Sequence, residues 1–169
     1  MCLVDANDAA ADRTPVNRPI HEIIWHCSAS KEDVPVRVEQ IRDRHVNGNG
    51  WWHIGCHIVV ELDGSVEAGG PVSRQGAHVR GHNRDSLGIC CVRGLDAAGK
   101  PKDARTPAQR DDFYRKTVEP RARFPSATVQ WPQRFWNKAC PCFDVRADWQ
   151  SYVQTLPVEP EPIEAEYPA

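Results

Sequence analysis

The sequence contains no hydrophobic run of the length that a secretion signal or a membrane-spanning helix requires. Its first twenty residues include Asp5, Asp8, Asp12 and Arg13, whereas a signal peptide has an uninterrupted apolar core of roughly 7–15 residues. No window approaches the ~20 apolar residues of a membrane span. These absences predict a protein that has no signal peptide and no membrane partner.

An excess of positive charge is also absent. The chain has 21 Lys and Arg against 23 Asp and Glu, which gives a net charge of −2. Proteins that bind nucleic acid through its phosphates usually carry a basic field, so nucleic acid is not an expected partner. With 169 residues, 40% of them hydrophobic, the chain is long enough for one globular domain.

Histidine is absent after His82, whereas cysteines continue to Cys142. The seven cysteines are an odd number in a chain without a recognisable leader, which predicts reduced thiols, one or two of them available for a metal or for chemistry. Cys90 and Cys91 lie in an apolar run that resembles a strand, and we interpret both as small buried residues.

The pattern of apolar residues predicts an α/β domain with a single mixed central β-sheet flanked by helices. Residues 1–19 are predicted to be a flexible arm, residues 20–153 the domain, and the proline-rich acidic residues 154–169 a disordered tail. Asp63-Gly64 predicts a hairpin turn, and the polar, glycine-rich stretch 69–86 predicts a functional loop. Strands are expected at 20–27, 54–62, 65–68, 87–92 and 128–131, and helices at 35–46, 107–118 and 145–153.

Several short motifs occur in one order along residues 20–150. They are Trp25-His26-Cys27-Ser28-Ala29, Gly50-Trp51, Ile54-Gly55-Cys56-His57, Asp63-Gly64, Gly76-Ala77-His78, Gly81, Asn83, Ser86-Leu87-Gly88-Ile89, Thr106-Pro107-Ala108-Gln109 and Lys138-Ala139-Cys140-Pro141-Cys142-Phe143-Asp144. This series resembles the zinc-dependent N-acetylmuramoyl-L-alanine amidases, which include the short phage lysozymes of amidase type and the peptidoglycan recognition proteins. The resemblance implies hydrolysis of the amide between N-acetylmuramic acid and the L-alanine of the stem peptide.

The resemblance also implies roles for individual residues. In that family two histidines and a cysteine hold Zn²⁺, and three protein ligands leave a fourth position open for water. His26 matches the first zinc histidine, Cys140 the zinc thiolate and Lys138 the catalytic lysine. Cys142 is two residues from Cys140, and we expect it on the opposite face as a structural residue.

Two positions depart from the family pattern. Pro132 stands where the second zinc histidine belongs, and proline offers no side-chain donor atom. Cys56 stands at the position of the active-site tyrosine, and on that basis we assign it to the catalytic centre. Its thiolate is also a competent zinc ligand.

Three outcomes follow from these departures. In the first outcome, the chain has lost its zinc and is a pseudoenzyme that binds peptidoglycan or a protein partner without turnover. Alternatively, Cys56 completes a His26–Cys56–Cys140 site. In the third outcome, water or a loop histidine such as His53 or His82 completes the ligand shell.

A second set of matched residues predicts a groove for the glycopeptide. Aromatic rings stack on sugar faces and polar groups reach the stem peptide, and the candidates are His45, Trp51, His78, Arg80 and Asn83. The alternative is that Trp51 packs on the core and His78 satisfies loop backbone. As a phage-type endolysin the protein is expected in the host cytoplasm, with a holin giving it access to the cell wall.

Overall fold

A five-stranded mixed sheet forms the centre of the computed structural model, which describes residues 15–156. The strands are β1 Glu22–Cys27, β2 Ser30–Lys31, β3 Ile58–Val60, β4 Val66–Ala68, β5 Ser86–Cys91, β6 Gly94–Leu95 and β7 Thr128–Gln130. Their order in the sheet is β4-β3-β5-β1-β7; β3, β5, β1 and β7 are parallel and β4 is antiparallel. A separate parallel ladder, β2–β6, was not predicted.

Three helices accompany the sheet, so the predicted mixed α/β class is confirmed. They are α1 Val38–Asp43, α2 Pro107–Arg123 and α3 Val145–Val153, and a π-helical turn, Arg44–Gly48, follows α1. A 3₁₀ turn, Pro132–Arg134, follows β7. None of the helices within residues 15–156 is long and apolar enough to cross a membrane.

Two apolar clusters pack on opposite faces of the sheet that contains the buried strand β1. Successive side chains of a strand point to opposite faces of the sheet. Trp25 and Cys27 therefore lie in the larger cluster, which includes Phe113 of α2 and Val145 of α3. On the opposite face, Val38 and Ile41 of α1 pack with Cys56, Val59, Cys90 and Val92. The side chain of His26 belongs to this second face.

Helix α2 is fixed to the sheet by its capping residues. The hydroxyl of Thr106 accepts a hydrogen bond from the Gln109 backbone N–H and donates to the Leu62 carbonyl. The buried Gln109 amide donates to the carbonyls of Val60 and Val92, each at 3.1 Å. These bonds satisfy carbonyl groups at the ends of β3 and β5, where an unpaired buried acceptor would be costly.

Several predicted boundaries differ from the observed ones. We expected α2 to end near Val118, but it continues to Arg123. Pro120 lies inside the helix and has no backbone N–H to donate, yet its ring is buried and the loss of one hydrogen bond does not end the helix. The predicted helix 35–46 is the shorter α1 followed by the π-helical turn.

Two residues at the end of the predicted amino-terminal arm contact the domain. Residues 15–19 were placed in the flexible arm, yet Val16 packs on the larger cluster. The Arg18 guanidinium donates to the carbonyls of Val72 and Arg84. The rest of the predicted arm, and the tail from residue 157, lie outside the described residues.

Candidate metal centre

One group of three potential metal ligands occurs among residues 15–156, and it consists of His26, Cys56 and Cys90. Their donor atoms all lie within 4.8 Å of one another. His26 and Cys90 are register partners on the parallel strands β1 and β5, and Cys56 comes from the segment that leads into β3. Three separate elements therefore bring one imidazole and two thiols together.

The members of this group are shielded from solvent. Cys56 and Cys90 are each 1% exposed and His26 is 8% exposed. The Nε2 atom of His26 is buried and has no hydrogen-bond partner among the described residues. Buried polar atoms are nearly always paired, so this nitrogen is a donor atom in need of a partner, as a metal ligand would be.

The electrostatics of the group favour ionisation of Cys56. A side-chain hydrogen bond from Cys90, followed by interactions with His26, lowers the pKa of the Cys56 thiol well below its usual value even though burial opposes this. The pKa of Cys90 is raised by the same pairing. The thiolate is the form of cysteine that binds a metal ion.

Cys140 has a different set of neighbours. The backbone N–H of Cys27 donates to the Cys140 sulfur at 3.3 Å, and the Cys27 thiol donates to it at 3.7 Å. Within residues 15–156, Cys140 is not a member of the three-ligand group around His26, and neither is His53 or His82. The zinc-ligand role of Cys140 stays a prediction.

The expectation that Cys142 points away from Cys140's neighbours was wrong. Its sulfur lies 4.0 Å from that of Cys27, so both thiols contact the same residue of β1. The chain is not extended here, because Cys142 has a left-handed φ of 76°. The hydrogen bond to Cys140 is the main cause that raises the pKa of Cys27 to about 12.

Pro132, at the position of the missing histidine, and Lys138 differ in exposure. Pro132 is buried at the start of its 3₁₀ turn, where it has no donor atom to offer. Lys138 is exposed, and its backbone N–H donates to the Trp136 carbonyl. An exposed ammonium group is free to approach a substrate, and its catalytic role stays a prediction.

The ring of His45, within the π-helical turn, contacts the ring of Trp51, which follows that turn. Their ring centroids are 4.7 Å apart, and the His45 Nδ1 accepts a hydrogen bond from the Gly55 N–H. Both side chains are half-buried. The Trp51 ring also covers Gly55, where an added Cβ would lie 2.8 Å from it.

His78 and Asn83 are engaged within the predicted loop, whereas Arg80 is exposed. The Asn83 side-chain oxygen accepts hydrogen bonds from the N–H groups of His78 and Val79. The His78 ring stacks on His26 with centroids 5.7 Å apart. It lies against Gly88, where any Cβ would be 2.6 Å from the ring. The His78 ring also lies 3.2 Å from the Gly55 carbonyl, as the backbone-satisfying alternative for His78 expects; the substrate roles of His78 and Asn83 remain predictions.

Two open depressions lie on the described surface. The first, of about 380 Å³, is lined by Trp52, His53, Arg74 and Gln75. The second, of about 470 Å³, is lined by residues that include Trp131, Ala139 and Cys142. Neither is lined by His26, Cys56 or Cys90.

Next to the His26 group, His57 is held in its neutral form. Its Nδ1 accepts a hydrogen bond from the Gly88 N–H at 3.0 Å, and its Nε2 lies 3.0 Å from the Arg74 carbonyl and 3.1 Å from the Arg18 guanidinium. Burial, aided by the nearby charge of Arg18, lowers the pKa of His57 to about 4.

We predict that this depressed pKa makes the fold sensitive to acid. Between pH 6.5 and pH 4 the unfolded chain binds more protons at this residue, so its contribution to stability is complete above pH 6.5 and is lost as the pH falls. The loss amounts to about 3 kcal/mol. Urea unfolding across this range should show a flatter pH dependence for His57→Asn than for the wild type. The exposed His21→Asn serves as the control, and an equal slope in both variants would contradict the assignment.

The chain is similar to a known protein family and to phage endolysins. The family described as N-acetylmuramoyl-L-alanine amidase matches residues 16–128, a stretch that ends before Pro132. The endolysin of Klebsiella phage KP32 is 38% identical over 129 residues, which cover 76% of this chain and 85% of the relative. The endolysin of Escherichia phage T7 is 37% identical over 128 residues, with 76% and 84% covered.

A solved structure shows the same fold. The Ph2119 endolysin from a Thermus scotoductus bacteriophage superposes with a TM-score of 0.65 at 28% identity, covering 78% of this chain and 84% of that one.

Proposed function

The chain belongs to the N-acetylmuramoyl-L-alanine amidase family, and we propose that it is a phage-type endolysin that cleaves the amide between N-acetylmuramic acid and L-alanine in peptidoglycan. The observation that carries this proposal is the family match over residues 16–128 together with phage endolysins at 37% and 38% identity. These relatives are matched over most of their length, which supports peptidoglycan as the substrate.

Zinc is the cofactor that the family implies, and the donors present fit it. His26 offers a buried, unpaired nitrogen, and thiols lie beside it, which is the nitrogen and sulfur set that zinc prefers. When bound at such a site, zinc polarises a carbonyl group and brings the pKa of its water to ~7.

The protein's own residues then have separate tasks. The exposed ammonium group of Lys138 would stabilise negative charge that develops on the scissile carbonyl oxygen. The Trp51 ring and its neighbour His45 would hold a sugar face, and Arg80 would bind a carboxylate of the stem peptide. Burial of His26 restricts the orientation of its ring.

We place the site of action at the cell wall after release from the host cytoplasm. A holin that permeabilises the inner membrane would give the protein access to the cell wall. The relatives named endolysins support this proposal. Expression with and without a holin in the same host tests it, since lysis that needs no holin would contradict it.

The amidase proposal is tested with purified peptidoglycan and with permeabilised Gram-negative cells. We expect the zinc-loaded protein to release free L-alanine amino groups and to clear the cells. Chelator should reduce the rate at least about a hundredfold, and zinc should restore it. A folded, zinc-loaded protein that sediments with peptidoglycan but releases no amino groups would contradict the proposal.

A further inference from the structure

We propose that this chain binds its metal ion through His26, Cys56 and Cys90, a ligand set in which two thiolates take the places of the second histidine and of Cys140. The inference concerns the centre described above and rests on the proposed function for the identity of the ion. It differs from the set that the family resemblance implies, which includes Cys140.

The first step is the loss of the family's second histidine. Pro132 stands at that position and is buried, and no histidine occurs after His82. Among residues 15–156, no other histidine joins His26 in a three-ligand group. A third ligand must therefore come from another residue type.

The second step is the distance between the donor atoms. Two atoms bound to one tetrahedral zinc at ~2.0–2.3 Å lie roughly 3.3–3.8 Å apart. The donor atoms of His26, Cys56 and Cys90 lie within 4.8 Å of one another. Movements of about 1 Å or slightly more, within the reach of side-chain rotation, would bring all three to a common ion.

The third step is the state of the donor atoms without an ion. The Nε2 of His26 is buried and unpaired, and the thiols of Cys56 and Cys90 lie within 4.8 Å of the His26 donor atom. The Cys140 sulfur accepts hydrogen bonds from the N–H and the thiol of Cys27, and the Cys90 thiol donates to the Cys91 carbonyl at 3.6 Å. Coordination would give the His26 nitrogen a partner and would bind two thiols that are each 1% exposed.

The experiment compares metal binding among single variants. Protein is stripped with chelator under reductant and titrated with Zn²⁺ and with Co²⁺, whose thiolate charge-transfer absorption reports each bound sulfur. We expect Cys56→Ser and Cys90→Ser each to weaken binding at least about tenfold and to lower the charge-transfer intensity by about half. Cys140→Ser should retain both the affinity and the absorption.

A matched control separates ligand loss from misfolding. Cys91 is adjacent to Cys90, is equally buried, and lies on the other face of β5, so Cys91→Ser should bind the ion as the wild type does. Cys90→Ala gives a second variant that adds no buried hydroxyl. Loss of binding in Cys140→Ser with full binding in Cys90→Ser would overturn the inference, as would a wild type that binds no ion.

These outcomes are distinct from failure of the proposed function. An active amidase whose metal depends on Cys140 would overturn the ligand set and leave the function intact. A protein that binds the ion through Cys56 and Cys90 but exposes no new alanine amino groups on the stem peptide would overturn the proposed function and leave the ligand set intact.

Discussion

Replacement of His26 by alanine is expected to lower peptidoglycan hydrolysis at least about a hundredfold, which corresponds to ~3 kcal/mol of transition-state stabilisation. His26 is the imidazole donor of both candidate ligand sets, and its Nε2 has no other partner in the described residues. The measurement is the rate of amino-group release by zinc-loaded protein. Zinc content is determined on the same samples.

The matched control for this variant is His21→Ala. His21 directly precedes β1 and is exposed, so its loss should leave both zinc content and rate within about twofold of the wild type. If His26→Ala were folded and kept its zinc and its activity, the centre would have to be sought elsewhere in the chain.

Replacement of Trp25 by alanine is expected to destabilise the fold by about 3–5 kcal/mol. Trp25 is fully buried and packs on Phe113, Tyr114, Phe143 and Trp149. Its indole N–H donates to the Thr117 hydroxyl at 2.9 Å. Truncation would leave a cavity between the sheet and helices α2 and α3 and would remove the hydrogen bond that the Thr117 hydroxyl accepts. Urea unfolding measures the free-energy change.

Trp52 provides a control of the same residue type. It is 93% exposed, so Trp52→Ala should change the unfolding free energy by less than about 0.5 kcal/mol. Trp25→Phe adds an intermediate case that keeps an aromatic ring but loses the hydrogen bond. Similar losses for Trp25→Ala and Trp52→Ala would show that Trp25 does not organise the larger cluster.

The sheet was predictable because its local signals agree with one another. A stretch rich in β-branched and aromatic residues specified β1, Asp63-Gly64 specified the β3–β4 hairpin, and Thr106-Pro107 marked the start of α2. Each of these signals is local, since burial, turn geometry and capping depend on neighbouring residues.

The three-ligand group was harder to predict because it depends on strand register. Cys90 resembled a small buried residue, and only its pairing with His26 across β1 and β5 reveals that the two share a face. Adjacent parallel strands together with side-chain alternation could have suggested this contact. The turn at Cys142 could not be foreseen, because a left-handed φ at a residue other than glycine has no clear sequence signal.

The position of Cys27 has a practical consequence for handling the protein. Its sulfur lies 3.7 Å from that of Cys140 and 4.0 Å from that of Cys142, so aerobic storage offers it two alternative cross-linking partners. Either bond would tether the carboxy-terminal segment to β1 and so constrain the residues around Lys138. A batch stored in air could then differ in lytic strength from a fresh one although its amino-acid sequence is identical.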